Sequence, residues 1–496
     1  MRKALTAVMA AMSVVVASSS ISVAATAPAR PTPATHAKRP TASAIKTNAV
    51  VNYTFFAGGA TLPAVGYVGT AARTTNPVSI TTGTSTGTGV GFWLNNLPDT
   101  YTGASYCLTG SGTGKKVIDG TNAASGACSS TGPGFASTNT YLNGTTNVPY
   151  ADFAGSDAPL AVTEYNAFTT NTMSTGTIPG RGIPVQIPVL VGAIAIAFNY
   201  QPSAGSSMSP PYNISSLSAL CNVFDGNGTT FGALFGQTGT DSTPIAAVVY
   251  RSDGSGTTFN FSNFLNKQCG STTLFNVDQL WTNVWLGYGS TLPSNFVGES
   301  GNQNVANEID STANSIGYVE AANFANPPPT NVHIAEVEGT DPYANLPKSA
   351  NTLTTSGILV DEVLPAFPSP APTAPYRPTP VSDGSTAGCV LMVDPTSYDN
   401  IQPGVGALKK YPIIAVTNLE FSSAKNPYPS ALQALPTDLL TPTNYADNTS
   451  GGTGITTIDS VNASASVAST GYSSLPAAFL TGSGSPVPTA ISCIGS

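Results

Sequence analysis

The chain is 496 residues long, 41% apolar and only 8% charged, with 17 Lys and Arg against 25 Asp and Glu and a formal net charge of −8. So acidic and charge-poor a surface does not attract a nucleic-acid phosphate backbone, and no nucleic-acid partner is expected. The length is enough for two or more domains with full cores, and the wealth of Ser, Thr, Asn and Gly fits a secreted protein kept soluble by neutral polar surface.

Met1-Arg2-Lys3 is a short basic start, and Ala4 to Val16 is an apolar run too short to span a bilayer. Ser22-Val23-Ala24 or Ala25-Thr26-Ala27 supplies small residues for cleavage, so residues 1–27 read as a secretory signal peptide. No cysteine lies nearby for acylation, and no later apolar run is long enough for a transmembrane helix. The expected location is therefore secreted or periplasmic, with no stable membrane anchor. Residues 28–50 carry Pro28, Pro31, Pro33 and Pro40 among Arg30, Lys38, Arg39 and Lys46, and read as a disordered linker.

The first expected strand, Val50–Phe56, leads into Ala57-Gly-Gly-Ala-Thr-Leu-Pro63. Pro63 suits the first helical position, which makes Thr61 or Leu62 a helix-entry residue with free N–H groups. Thr81 to Gly89 is a Gly/hydroxyl run entering Phe92-Trp93-Leu94, with Thr86 near its centre. Gly83-Thr84-Ser85-Thr86-Gly87 also matches the G-x-S-x-G elbow of serine hydrolases, but the flanking strand and helix which that elbow needs are missing. A short strand then ends in Ser156 and Asp157, within Phe153-Ala-Gly-Ser-Asp-Ala-Pro-Leu160. Asp157 reads as an acceptor for a ligand's proton, or as a helix N-cap.

Further strands are expected at Val185–Val191, Ala193–Phe198, Ile245–Tyr250 and Ile316–Glu320, with helices at Leu217–Phe224 and Thr258–Asn266. Between Gly182 and Pro347 the only cations are Arg251 and Lys267. Arg251 opens Arg251-Ser-Asp-Gly-Ser-Gly-Thr-Thr258, which offers a planar donor fork, the hydroxyls of Ser255 and Thr257, and an unhindered N–H at Gly256. These are the parts of an anion cradle, and a following helix would aim its first N–H groups at the same ligand. The bland reading is a surface turn in which Arg251 pairs with Asp253. Seven prolines between Pro365 and Pro380 read as an extended surface spacer.

Six cysteines in an exported chain argue for disulfides, and six allow 15 pairings. Cys107 and Cys128 bracket a Gly/Ser/Thr-rich stretch, Cys221 and Cys269 flank the Arg251 loop, and Cys389 with Cys493 would tie down the C-terminal segment. No Cys-x-x-Cys occurs, and His333 is the only histidine besides His36 in the linker. No metal or cofactor is expected.

Ala57-Gly-Gly-Ala-Thr-Leu-Pro-Ala64, Ala154-Gly-Ser-Asp-Ala-Pro-Leu160, Pro188 to Asn199, Tyr250 to Thr258 and Asn314-Ser-Ile-Gly-Tyr-Val-Glu320 occur in that order. The set resembles the phosphate-binding protein of bacterial ABC phosphate uptake systems (PstS-like), and most of all its secreted DING-type branch. Leu217 to Gly226, Phe264 to Cys269 and Tyr411 to Phe421 support that branch. Two features depart from it. Thr54-Phe55-Phe56-Ala57-Gly58 stands where the family has Asp-Ile-Asn-Gly, and residues 97–150 match nothing in the family pattern.

The resemblance implies an α/β fold: a two-domain, periplasmic-binding-protein-like (class II) architecture with a hinge of two crossover strands and a ligand cleft. The expected division is 51–192 for the first part of domain 1, with 97–150 as an insertion, 193–316 for domain 2, and 317–496 for the rest of domain 1 with a C-terminal extension. The implied phosphate ligands are Thr61, Leu62, Thr86 (or its neighbours Ser85 or Thr88), Asp157, Arg251, Ser255, Gly256 and Thr257, with Asp253 and Ser156 in support. Inorganic phosphate is the implied partner, an ABC phosphate permease a further candidate, and the chain is expected to be a monomer without enzymatic turnover. A secreted phosphomonoesterase using the same cradle, or a surface or matrix protein on a binding-protein fold, are the alternatives.

Overall fold

Residues Pro184–Asn199 form one continuous strand of 16 residues in the computed structural model, and all of them are buried. Covered on both faces, such a strand reads as an unbroken apolar run rather than an alternating one. The sequence reading broke it near Gly192. The strand passes straight through, its ladder unbroken at Gly192, and the glycine makes room for the Leu62 side chain: an added Cβ would lie 2.5 Å from Leu62 Cδ2. The structure describes residues 54–81, 103–118, 141–143, 146–148, 151–170, 182–270, 275–285, 291–324, 329–345, 357–368, 372, 374–402, 410–424, 426, 428–440, 471–475 and 484–495.

The fold is mixed α/β. Its main sheet runs, in spatial order, Phe296–Glu299, Ala247–Arg251, Ser315–Glu320, Pro184–Asn199, Ile414–Ser422, Phe153–Ser156, Thr54–Gly59, Gly103–Leu108 and Val78–Thr81. Val332–Ile334 and Tyr472–Ser474 also pair with the long strand. The first part of that strand, Pro184 to Ala193, pairs with Ile414–Ser422, and the second, Ile194 to Phe198, pairs with Ser315–Glu320. One strand therefore joins two halves of the sheet. The ladder slips a residue between Thr417 and Asn418, passing from Leu190 to Pro188. Proline has no N–H to give a ladder, and a bulge is where a strand tolerates one. Pairing with the second half continues beyond Gly317, through Val332–Ile334 and the short strand Glu336–Val337.

The segment 97–150, expected to be an insertion, is in part core. Gly103–Leu108 lies parallel to Thr54–Gly59, with Ala104, Tyr106 and Cys107 buried, and the helix Ser111–Ile118 follows at once. Its Gly, Ala and Ser content over 103–105 hid a strand whose buried aromatic, Tyr106, comes only in its second half. Cys107 is disulfide-bonded, and Cys128 lies outside the described residues. Cys221 is bonded to Cys269 and Cys389 to Cys493.

Helix Leu217–Phe224 has the expected bounds, while the helix after Arg251 runs longer, over Gly256–Gln268. Phe261 of that helix stacks on Tyr318 with ring centroids 4.5 Å apart and meets Phe224 edge-on at 4.8 Å. Phe261 is wholly buried, so truncation to Ala would cost ~3–5 kcal/mol. That packing anchors the middle of the helix whose start faces the candidate site. The proline-rich stretch is stitched down where it is described: Val277 N–H donates to Tyr376 O, Tyr376 N–H to Asn276 Oδ1, and Arg377 to Asn263 O. Among the described residues no helix is long and apolar enough to cross a membrane.

Candidate functional site

Five loops leave the carboxyl ends of parallel strands and meet. Thr54–Gly59, Gly103–Leu108 and Phe153–Ser156 run parallel in one half, and Ala247–Arg251 and Phe296–Glu299 run parallel in the other. Ligands in open α/β sheets bind outside such ends. Here the ends carry Thr61, Ser111, Asp157, Arg251 with its turn, and Asn302, all of them buried.

Arg251 is clamped by its own turn. Its Nε donates to Asp253 Oδ1 at 2.7 Å and one terminal nitrogen to Asp253 Oδ2 at 2.5 Å. A two-point grip of this kind fixes the plane of the guanidinium. The other terminal nitrogen donates to Thr257 Oγ1 at 3.3 Å, and Asp253 Oδ1 also accepts from Gly301 N–H at 3.2 Å. Burial pushes the Asp253 carboxyl up, but the guanidinium and these hydrogen bonds outweigh it and hold the group below its ordinary range. The turn thus pairs Arg251 with Asp253 as the bland reading had it, yet Arg251 is only 1% exposed, so it is no surface turn. Ser255 caps the following helix by accepting from Thr258 N–H at 3.1 Å.

Asp157 has a strongly perturbed environment. Burial pushes its carboxyl up from 3.8 to about 7, against the opposing pull of a hydrogen bond from Thr417, the charges of Arg251 and Lys115, and a hydrogen bond from Ser111. Thr417 Oγ1 donates to Oδ1 at 2.6 Å. Ser111 Oγ accepts from two backbone N–H groups, that of Asp157 and that of Gly256, each at 3.1 Å. Both hydroxyl lone pairs are then filled and only the proton remains to be given. Asn260 Nδ2 adds a bond to Asp157 O at 2.6 Å. A Cβ on Gly256 would lie 2.5 Å from Asp157 Cβ and 2.6 Å from Ser111 Oγ, so only glycine allows this approach. Lys115, one turn beyond Ser111, has its Nζ 3.2 Å from Pro159 O and 2.7 Å from Glu164 Oε2. It thereby holds the chain just after Asp157.

The structure brings Thr61, Asp157, Arg251, Ser255, Gly256 and Thr257 together, with Asp253 behind Arg251. Leu62 lies beside them with its side chain in the core and its carbonyl accepting from Tyr472 Oη. Ser156 turns inward and donates to Ala158 O at 2.6 Å, which shapes the Asp157 turn. Thr86, Ser85 and Thr88 lie outside the described residues. The hydroxyl that the second loop supplies among the described residues is Ser111. Sequence reasoning missed it although Leu108-Thr-Gly-Ser-Gly-Thr-Gly114 has the same Gly/hydroxyl chemistry as the run around Thr86. A strand before and a helix after were the signal that separates the two. Lys115 and Asn302 were missed as well. His333 packs on Phe198 and Tyr212 at ring distances of 5.3 and 4.7 Å, and burial lowers its pKa. It belongs to an aromatic cluster rather than to these loops.

A family model described as a PBP superfamily domain matches residues 57–366, a span that takes in all five loops. The chain belongs to the PBP superfamily. Alkaline phosphatase L of Pseudomonas aeruginosa is 32% identical to this PBP-superfamily chain over 290 residues, or 58% of this chain and 66% of that protein. A protein named phosphate-binding protein, from an unknown prokaryotic organism, is 26% identical over 294 residues, 56% of this chain and 68% of that protein. The chain thus spans about two thirds of the length of the curated relatives it matches. A solved structure of a phosphate-binding protein from Stenotrophomonas maltophilia aligns with a TM-score of 0.49 at 22% identity, covering 86% of this chain and 92% of that one.

Proposed function

We propose that this chain is a binding protein for inorganic phosphate that performs no turnover. The observation that carries the reading is the placement of a clamped, buried Arg251 and a buried Asp157 on the same cluster of loops. Arg251 supplies charge-assisted donors. The hydroxyls of Thr61, Ser111, Ser255 and Thr257 and the N–H groups of Leu62 and Thr257 supply neutral ones, while the Gly256 N–H is given to Ser111 Oγ and holds that hydroxyl in place. Asp157 takes the proton that phosphate still carries near neutral pH. Sulfate carries no such proton, and its oxygen would face the carboxylate with nothing between them, a cost of several kcal/mol. A site built to use that hydrogen bond rejects the near-isostere lacking it.

Calorimetric titration with phosphate and with sulfate, on wild type and Asp157→Asn, tests the reading. Wild type should bind phosphate and reject sulfate, and the variant should lose much of that preference. Equal wild-type affinity for the two anions would refute it. The two halves of the sheet, divided near Ala193 and beyond Val337, would act as lobes hinged on the long strand. The leader-like residues 1–27 support export, and an ABC permease is the natural recipient of the cargo.

The relative named alkaline phosphatase L supports a second reading, in which the same cradle holds the phosphoryl group of an ester. Turnover of a chromogenic phosphate monoester that survives chelation and repurification, and is abolished by Asp157→Asn, would establish it.

A further inference from the structure

We infer that Asn302 sets the polarity of the anion site: it fills the acceptor positions of the Thr61 and Thr257 hydroxyls, so that each can only donate. The inference rests on the phosphate reading above and assigns a role to a residue outside the cradle as read from the sequence. Asn302 is the second residue of the helix Gly301–Ser311 and is wholly buried. Its Oδ1 accepts from Glu320 N–H at 3.2 Å, which fixes the orientation of the amide and turns Nδ2 the other way. Nδ2 then donates to Thr61 Oγ1 at 2.9 Å and to Thr257 Oγ1 at 3.2 Å.

A hydroxyl has two lone pairs and one proton. Thr61 Oγ1 accepts from both Nδ2 and the backbone N–H of Asn302, the latter at 3.3 Å. Thr257 Oγ1 accepts from Asn302 Nδ2 and from the Arg251 guanidinium at 3.3 Å. Both oxygens have two donors aimed at them, which leaves the protons as their unused valence. An oxyanion needs donors and meets repulsion from lone pairs, so a hydroxyl that is free to rotate loses part of its value to an anion. A preorganised one does not. Asn302 also couples the halves, because Thr61 follows a strand of the first half while Asn302 and Thr257 follow strands of the second. Asn302 is a positioning residue, acting on the anion through the two threonines.

The test is a double-mutant cycle read by phosphate calorimetry, with thermal unfolding of each phosphate-free variant alongside. Asn302→Ala is expected to weaken phosphate binding about 100-fold. Thr61→Val should cost about tenfold in wild type but less than about twofold in the Asn302→Ala background, because an unpolarised hydroxyl has little left to lose. Loss of packing alone would give independent penalties. Asn302→Asp keeps the acceptor for Glu320 N–H and nearly the same shape. Its carboxylate would draw both hydroxyl protons away from the anion and weaken binding well beyond about 100-fold, so near-wild-type affinity in Asn302→Asp would overturn the inference should Asn302→Ala fail to fold. Additive penalties, or Asn302→Ala binding as tightly as wild type, would overturn the inference while leaving the phosphate reading intact. Wild-type protein that takes up no phosphate would overturn both.

Discussion

Asp157→Asn tests the burial of the site without requiring a ligand. Desolvation raises the folded carboxyl from 3.8 to about 7. The folded protein therefore keeps a proton that the unfolded chain releases at lower pH. Stability from this group is complete below the unfolded pKa and is lost as pH rises through about 7. The shift of about three units is worth ~4 kcal/mol in total at ~1.4 kcal/mol per unit, of which ~3 kcal/mol falls between about pH 5 and about pH 8. Asparagine cannot ionise, so the variant lacks this dependence. Glu320, also raised by burial, contributes alike to both proteins and cancels in the comparison. Denaturant unfolding in phosphate-free buffer at the two pH values should show wild type losing ~3 kcal/mol relative to Asp157→Asn on going to the higher pH. A swing below ~1 kcal/mol would mean that the loops do not bury residue 157, and the account of the site would fail with it.

Gly256→Ala should abolish phosphate binding in calorimetry, since its methyl group would lie 2.5 Å from Asp157 Cβ with backbone 2.7 Å away. Ser111→Ala leaves two buried N–H groups without their acceptor, at ~1–3 kcal/mol each, and should weaken phosphate binding at least about tenfold. Thr86→Val, measured beside it, is expected to stay within about twofold if Ser111 is the hydroxyl donor of the second loop. Lys115→Met takes the ammonium from the Glu164 carboxylate, which keeps the Ala161 N–H as a donor, and removes a positive charge near Asp157, so the melting temperature should fall, by the equivalent of ~1–3 kcal/mol. The unfolding-versus-pH curve should also show the Asp157 transition moved upward, because Lys115 now lowers that pKa.

Local chemistry made much of the cradle legible. Arg251 with Asp253 two residues on, Ser255 before a helical pattern, Thr61 before Pro63 and Asp157 at a strand end each announce themselves through short-range physics: a fork and its partner, a cap, a turn. The strand at Gly103–Leu108 stayed hidden because its signal is weak, with Gly103, Ala104 and Ser105 in place of branched residues. Its membership in the core comes from pairing with Thr54–Gly59, a partner 49 residues away in register. Without that strand, Ser111 looked like one more polar residue in a low-complexity stretch.

Asn302 was unreadable for another reason. Nothing in Gly301-Asn-Gln-Asn304 sets it apart from its neighbours, and its two threonine contacts are 45 and 241 positions away. The sequence by itself determined which groups this chain can present to an anion, because hydroxyls, one guanidinium and glycine N–H groups are properties of residues and their nearest neighbours. Only the tertiary structure decided which of them face one another, which carboxyl is driven to hold its proton and which way the hydroxyls point. Those outcomes depend on burial and on the direction of hydrogen bonds between distant strands, and neither exists until the sheet has formed.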